Sequence, residues 1–259
     1  MKCGTSSLFS YLAGHPEVCP SICKEPEYFS EKFKSANVNR YEELWSFDKS
    51  THKYALEAST GYTKYPADTA APRNIYNYGI KPKFIYLVRN PIDRINSHIA
   101  YMNQSDSPLS ADYLEYLISV SSYHLQLEQY RKYFSMDNFL VLDFNELKNK
   151  PMDSINRVYH FLGLSLDYYP DSYTAVNTTQ VESNAEHTLR SSIAGPLIKL
   201  IPKHVKRTVK KQLRKLSSPR KQILTDEQVD FVRSALSNEM CKLSNDYGVN
   251  VRKWGFESS

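Results

Sequence analysis

The stretch Phe84-Ile85-Tyr86-Leu87-Val88 is an almost unbroken apolar run that follows a turn containing glycine and proline. A run of this kind is typical of a strand buried on both faces of a parallel sheet. Arg89 and Pro91 come directly after it, and the sequence then predicts a helix from about Asp93 to Met102. A buried strand that leads straight into a helix is the building unit of α/β proteins.

The same alternation continues on both sides of this stretch. A second buried strand is predicted at residues 139–142 and a short one at residues 53–57. Helical spacing of apolar residues predicts further helices at residues 5–12, 112–134, 153–162 and 226–247. This order favours a three-layer sandwich, with a central parallel sheet flanked by helices. A chain of 259 residues, 41% of them hydrophobic, fits one α/β domain over residues 1–259.

The positive charge of the chain is concentrated in one segment. The formal net charge is +5, yet residues 199–221 carry ten Lys/Arg and no Asp or Glu, so the rest of the chain has a net charge of −5. The basic composition therefore does not indicate nucleic-acid binding. Apolar residues recur at helical spacing within residues 197–222. Three interpretations stay open: a helix on an anionic membrane surface, a docking face for an acidic glycan, or a solvated helix packed on the domain.

The four cysteines, Cys3, Cys19, Cys23 and Cys241, form no C-x-x-C pair and show no paired zinc spacing. They predict reduced and mostly buried thiols, with a Cys19–Cys23 bridge as the alternative. The sequence predicts neither a membrane span nor a signal peptide. We therefore expect a cytoplasmic protein, with the Golgi lumen as the alternative should residues upstream of Met1 carry a signal or an anchor.

The first motif with chemical meaning is Lys2-Cys3-Gly4-Thr5-Ser6-Ser7-Leu8, at the predicted start of a helix. A glycine here allows the backbone to approach an anion, and the N–H groups of a helix start favour a phosphate. Hydroxyl groups and the charge of Lys2 add to this preference. The lysine precedes the glycine, so the motif is not a Walker A loop. A simple capped helix start is the alternative.

The second motif follows the strand that ends at Val88. Ligands of open α/β sheets bind at the carboxyl ends of strands, which is where Arg89 lies. Ser97 follows about two helical turns later, and the two side chains together suit one phosphate. Arg94 lies between them and is equally suited to a structural role.

The third motif is Lys24-Glu25-Pro26-Glu27-Tyr28-Phe29. A carboxylate next to a lysine, in a rigid turn with aromatic neighbours, suits a general base beside a positive charge. The alternative is an ordinary surface turn.

Together the three motifs resemble those of the sulfotransferases that use 3′-phosphoadenosine-5′-phosphosulfate (PAPS), especially the carbohydrate (heparan sulfate) branch and its bacterial relatives. Residues 2–8 are similar to the family's Lys-x-Gly-Thr-Thr/Ser-x-Leu loop, and residues 89–97 to its 3′-phosphate motif. Residues 24–29 are similar to its Lys-Glu-Pro-His-Phe-Phe segment. Further agreement at Glu57-Ala-Ser-Thr-Gly-Tyr62 and at Gly248…Trp254 extends the resemblance over nearly the whole chain, the basic segment excepted.

The resemblance implies a P-loop-like α/β fold and sulfuryl transfer from PAPS to a hydroxyl or amine. Glu25 would be the general base, and Lys2 and Lys24 would neutralise charge on the sulfuryl group. The residues implied for cofactor binding are Lys2, Gly4, Thr5, Ser6, Ser7, Arg89, Ser97 and Arg190. No metal is expected, because lysines would supply the positive charge. The implied acceptor is a glycan or a small hydroxylated metabolite.

The chain departs from the family pattern at three points. The family has a hydrophobic strand just before its key lysine, and here Met1 stands directly before Lys2, so we expect a sheet that lacks its first strand. Glu27 stands where the carbohydrate branch often has histidine. Ser6 replaces the more common threonine and keeps the hydroxyl.

Two alternative functions share this type of fold. A kinase-like P-loop enzyme would need a Walker lysine and a magnesium-binding carboxylate, and the sequence shows neither in place. A non-catalytic protein that binds a nucleotide or an anionic glycan would not need Glu25.

Overall fold

The computed structural model describes residues 2–34, 38–102, 109–170 and 224–257. The strands are β1 (Val18–Pro20), β2 (Tyr54–Leu56), β3 (Phe84–Val88) and β4 (Phe139–Asp143). The helices are α1 (Thr5–Ala13), α2 (Ala71–Tyr78), α3 (Pro91–Met102), α4 (Ala111–Ser121), α5 (Tyr123–Arg131), α6 (Phe144–Asn149), α7 (Pro151–Leu162) and α8 (Asp226–Tyr247). Short 3₁₀ turns lie at Tyr41–Leu44, Gly61–Thr63, Met136–Asn138 and Val251–Trp254.

All strand pairs of the described residues are parallel. Strand β1 pairs with β2, and β3 pairs with β4 from Phe84 opposite Phe139 to Val88 opposite Asp143. The predicted α/β class with parallel strands is thus confirmed. Within the described part of the chain the two pairs are separate two-stranded sheets.

Helices cover both faces of the β3–β4 pair. Leu87 and Leu142 belong to a core cluster with side chains of α1 and α7. Their neighbours Val88 and Val141 point to the opposite face and belong to a second cluster with side chains of α3, α4, α5 and α8. Because adjacent residues of a strand face opposite sides, this alternation gives helix, sheet and helix layers. The predicted three-layer arrangement is confirmed.

Helix α8 is the longest described helix and closes one of these cores. Thr225 and Gln228 form a reciprocal capping box at its start, which satisfies backbone N–H groups that a helix leaves unpaired. Asp246, near its end, lies 2.8 Å from His124 Nε2 on α5. The ligand-type atoms of His124, Glu128 and Asp246 lie within 4.8 Å of one another. No sequence motif marks this group, which joins α5 to α8.

The helix predicted over residues 112–134 is wrong in one respect, since the structure has two helices, α4 and α5, separated at Ser122. Ser122 has a ψ of 72°, which is not helical. The hydroxyls of Ser121 and Ser122 donate to the carbonyls of Leu117 and Ile118, four residues earlier. Serine side chains that bond back to the helix in this way compete with its regular ladder.

Several elements were not predicted, namely β1, α2 and α6. They are short, and a three-residue strand or a helix of six to eight residues carries too little periodicity for recognition. The predicted basic segment of residues 197–222 and Arg190 lie outside the described residues. All four cysteines are free thiols, with Cys3 and Cys19 buried. No helix in the described ranges combines the length and apolar composition needed to cross a bilayer.

Candidate active site

The loop before α1 depends on a glycine at residue 4. Gly4 has a φ of 83°, and a Cβ there would lie 2.7 Å from Cδ2 of Phe144. Both the left-handed backbone and the close aromatic ring therefore favour glycine. The Gly4 carbonyl accepts hydrogen bonds from Ser7 and Leu8 N–H, at 3.0 and 3.2 Å. Gly4, at the N-cap position, has no side chain that could cap α1, so the first N–H groups of the helix suit an external anion.

Two cations meet beside this loop. Arg89 Nη1 donates to the backbone carbonyl of Lys2 at 3.3 Å, which brings the first two predicted motifs together. Lys2 has a left-handed φ of 64°, and its Nζ lies 4.3 Å from the ring centre of Tyr101. Burial lowers the pKa of Lys2, and the nearby Arg89 charge lowers it further. Convergent positive charges of this kind create a potential that attracts anions.

Aromatic residues contact both the side chain and the backbone of Arg89. Its central carbon lies 4.8 Å from the ring centre of Phe144, the same ring that packs against Gly4. The hydroxyl of Tyr123 donates to the Arg89 carbonyl at 2.7 Å. Phe144 therefore contacts both halves of the predicted anion site. Sequence analysis did not identify Phe144, because an aromatic residue after a strand carries no specific signal.

Three buried nitrogens of this segment, Arg89 Nε, Arg94 Nη1 and His98 Nδ1, have no hydrogen-bond partner among the described residues. An unpaired buried polar atom costs about 1–3 kcal/mol, so such atoms call for an explanation. Of the three, Arg89 Nε belongs to the side chain that contacts the Lys2 loop, which fits a site that binds a polar ligand.

Arg94 has a structural role. It is 1% exposed, and it donates from Nε to Ser121 Oγ at 2.8 Å and from Nη2 to the Leu117 carbonyl at 2.6 Å. These bonds tie α3 to the end of α4. Of the two roles open for Arg94 from the sequence, the structure therefore favours the structural one. Ser97 lies half-buried farther along α3.

The third motif forms a tight loop with unusual backbone geometry. Glu25 and Glu27, on either side of Pro26, have left-handed φ angles of 61° and 54°. Such angles are costly for residues with a Cβ and persist only where the surrounding structure enforces them. Lys24 Nζ forms an ion pair with Oε1 of Glu25. The structure thus places the predicted base and its neighbouring cation in direct contact.

The segment 57–62 holds this loop. Ser59 Oγ accepts from Glu27 N–H at 2.9 Å, and Tyr62 OH accepts from Phe29 N–H at 3.2 Å. Gly61 N–H donates to both carboxylate oxygens of Glu27, at 2.7 and 2.9 Å. The sequence showed a family-like pattern in this segment but gave no reason to assign it a task.

Half-buried hydroxyls surround a third carboxylate, Glu57. Tyr41 and Tyr62 donate to its Oε1 at 3.0 and 2.8 Å, and Ser59 donates to its Oε2 at 2.6 Å. Burial raises the pKa of Glu57. Glu57 also lines a cavity of about 500 Å³, which Thr5 of the first loop and Thr60 line as well. The cavity therefore connects the first loop with segment 57–62.

The chain matches known proteins in both sequence and structure. A family model described as "Sulfotransferase domain" matches residues 1–243. Human heparan sulfate glucosamine 3-O-sulfotransferase 6 is 26% identical over 179 residues, which cover 63% of this chain and 50% of that protein. Mouse bifunctional heparan sulfate N-deacetylase/N-sulfotransferase 4 is 21% identical over 199 residues, which cover 67% of this chain. The chain thus spans about half the length of the first relative and about a fifth of the second.

The fold is similar to that of a solved sulfotransferase from Alicyclobacillus acidocaldarius, with a TM-score of 0.67, 18% identity, and coverage of 98% of this chain and 95% of that one. Mouse sulfotransferase SULT7A1, solved in complex with PAP, gives a TM-score of 0.51 at 15% identity, with coverage of 98% of this chain and 84% of that one. At these identities the similarity concerns the fold.

Proposed function

The chain belongs to the sulfotransferase domain family, and we propose that it transfers a sulfuryl group from PAPS to a hydroxyl or amine of an acceptor. The observation that carries this proposal is the hydrogen bond between Arg89 and Lys2, which joins two anion-binding motifs in one place. PAPS has two separate anionic ends, and the two motifs offer one set of donors to each.

The residues present fit such a ligand. The unpaired Arg89 Nε and the half-buried Ser97 suit the 3′-phosphate. The 5′-phosphosulfate would be held by Lys2, by the backbone of Gly4 and by the hydroxyl residues Thr5, Ser6 and Ser7. Arg190 lies outside the described residues, and its contact with the cofactor stays a prediction.

Glu25 has the properties of a general base. Its side chain is 39% exposed, so an acceptor can reach it, and Lys24 accompanies it. In our proposal Glu25 accepts the proton of the acceptor hydroxyl or amine. PAPS, when bound, supplies the sulfuryl group. A positioned base contributes about 10²–10⁴-fold to the rate of such reactions.

Lys2 and Lys24 supply fixed positive charge near the reacting group. Transfer of a sulfuryl group moves negative charge toward the leaving oxygen, and preorganised donors stabilise such charge. Burial and the Arg89 charge lower the pKa of Lys2, and an anion bound next to Lys2 opposes this effect by favouring the charged form. No step in this scheme requires a metal ion.

For the acceptor we propose a glycan, with a small hydroxylated metabolite as the second class. This choice rests on the names of the relatives, which refer to heparan sulfate, and on the loop at residues 24–29. The basic segment 199–221 would bind to an anionic surface or to an acidic glycan.

Transfer of radiolabelled sulfate tests the proposal. The protein is incubated with ³⁵S-labelled PAPS and a panel of desulfated heparan fragments, amino sugars and simple alcohols. We expect labelled product from at least one acceptor class, and a rate at least about 100-fold lower for Glu25→Gln. Equal rates for Glu25→Gln and the unmodified protein would exclude Glu25 as the base. Absence of labelled product together with absence of nucleotide binding would exclude the proposed function.

A further inference from the structure

A single hydroxyl lies between two carboxylates beside the proposed base. Thr60 Oγ1 is 3.3 Å from Oε2 of Glu25 and 3.3 Å from Oε1 of Glu27. A threonine hydroxyl has one proton, so it donates to one of these oxygens at a time. The carboxylate that receives this proton depends on which of the two is charged.

Glu27 cannot turn away from this arrangement. It is 5% exposed, and Gly61 N–H binds both of its oxygens. A Cβ at position 61 would lie 2.7 Å from Ser30 Oγ and closer still to the Glu27 carboxylate, so only glycine allows this approach. The N–H of Glu27 is itself fixed by Ser59 Oγ. The acidic side chain is therefore held rigidly, with one oxygen toward Thr60.

The environment of Glu27 extends the pH range in which this carboxyl group is neutral. Burial raises the pKa of Glu27, and the neighbouring charge of Glu25 raises it as well, against the opposing effects of Gly61 N–H, Lys64 and Thr60. A neutral carboxyl group carries a proton that it can donate to Thr60 Oγ1. Thr60 then has its own proton free for Glu25.

We propose that Thr60 and Glu27 are positioning residues for Glu25. In this arrangement Glu27 donates to Thr60, and Thr60 donates to Oε2 of Glu25, while Lys24 binds Oε1. Both oxygens of Glu25 are then anchored, which fixes the plane of a carboxylate whose own backbone is in a left-handed conformation. The inference rests on the proposed function of Glu25 as the base.

This arrangement explains the presence of Glu27, at which the chain differs from the pattern of its relatives. The carbohydrate branch often has histidine where this chain has Glu27. An imidazole at that position would carry a different charge and reach. A buried carboxyl paired to Thr60 instead orients the base through a hydroxyl.

Matched variants separate the effect of the hydroxyl from that of side-chain volume. Thr60→Val removes the hydroxyl at nearly constant shape, and Thr60→Ser keeps it. Glu27→Gln keeps both an acceptor for Gly61 N–H and a donor for Thr60, whereas Glu27→Leu keeps neither. Thr51→Val makes the same exchange at an exposed threonine whose hydroxyl donates to Asp48 Oδ2, and it serves as the control.

The first readout is the rate of PAP formation from PAPS, with the best acceptor of the panel, or with water if no acceptor reacts. We expect Thr60→Val to lower this rate about 10- to 100-fold at saturating PAPS. Thr60→Ser should recover most of the loss, and Glu27→Gln should lose far less than Glu27→Leu. The dissociation constant for PAP and the melting temperature should stay close to those of Thr51→Val.

The second readout does not require turnover. Carbon-13 NMR follows the titration of the Glu27 carboxyl in four proteins: the unmodified protein, Glu25→Gln, Thr60→Val and the double variant. The effect of Glu25→Gln on the pKa of Glu27 is thereby measured once with Thr60 present and once with valine in its place. Removal of the like charge lowers the pKa of Glu27, and the proposal predicts a larger decrease where Thr60 links the two groups.

The outcomes separate this inference from the proposed function. A folded Thr60→Val protein that keeps its full rate would overturn the positioning role, although the sulfotransferase assignment would stand. If the unmodified protein produced no PAP even from water, the proposed function would fail, and the NMR cycle would decide the inference. Equal decreases in the pKa of Glu27 in both backgrounds would overturn it, and a larger decrease with Thr60 present would support it.

Discussion

Arg89 and Lys2 are 87 positions apart in the chain, yet Arg89 Nη1 donates to the Lys2 carbonyl at 3.3 Å. The contact arises because β3 delivers Arg89 at its carboxyl end, where the loop that starts α1 also lies. Phe144, the first residue after β4, packs against both Gly4 and the Arg89 guanidinium. Three separate parts of the chain therefore meet at the proposed anion site, and each can be tested by itself.

Replacement of Gly4 by alanine should abolish PAP binding. The added Cβ would meet Phe144 at 2.7 Å, and the φ of 83° is unfavourable for alanine. Gly79→Ala is the matched control, since Gly79 has the same φ of 83° but nothing within 4 Å of its Cβ position. Gly79→Ala should lose about 1–2 kcal/mol of unfolding free energy through its φ alone, and Gly4→Ala should lose more because of the contact with Phe144. Calorimetry should show a loss of PAP affinity in Gly4→Ala only, and similar affinities for the two variants would contradict the model of the loop.

Arg94→Met should affect folding rather than ligand binding. Its two hydrogen bonds join α3 to α4, and their loss from a buried site should cost about 2–4 kcal/mol in a urea unfolding experiment. The folded fraction should bind PAP with nearly unchanged affinity. An Arg94→Met protein of unchanged stability that had lost PAP binding would show that Arg94 contacts the nucleotide.

His98 should make stability depend on pH. Burial lowers its pKa to about 4, and the charge of Arg94 adds to the effect, with smaller effects of Lys2 and Lys64. Its Nε2 lies 2.8 Å from Tyr113 OH. Since an unfolded histidine titrates near 6.5, the unfolded state binds more protons between pH 4 and 6.5, and stability falls as the pH decreases through this range.

The expected loss from His98 is about 3 kcal/mol of unfolding free energy over that range. His98→Gln keeps a polar partner for Tyr113 without this titration, so its unfolding free energy should change less with pH. The measurement is urea unfolding at pH 4.5, 5.5 and 7. Identical pH profiles for the variant and the unmodified protein would show that His98 is not buried in its neutral form.

Much of the fold could be predicted from the sequence because its central elements are strongly apolar. Strand β3 was predicted with its observed bounds, and α8 likewise, since both have clear patterning and clear ends. The break between α4 and α5 could not be predicted, because it depends on hydroxyls that bond back to the helix backbone. Propensity alone does not show whether a serine faces its own helix or solvent.

The charged residues and the glycine of the candidate site could be predicted from the sequence, whereas the residues that hold them in position could not. Lys2, Gly4 and Arg89 were predicted from two motifs, and the structure brings them together. Thr60 and Phe144 were not predicted, because their tasks follow from contacts between distant segments. Arg94 illustrates the same limit, since only its buried hydrogen bonds distinguish a structural arginine from one that contacts a phosphate.

The central claim is that Arg89 and the loop at Lys2 bind a nucleotide with a 3′-phosphate. Isothermal titration calorimetry with PAP, and with 5′-AMP as the control ligand, tests it most directly. We predict clear binding of PAP, at least about 10-fold weaker binding of 5′-AMP, and loss of this preference in Arg89→Ala. A folded protein that bound neither nucleotide, or an Arg89→Ala variant that kept the preference for PAP, would contradict the account.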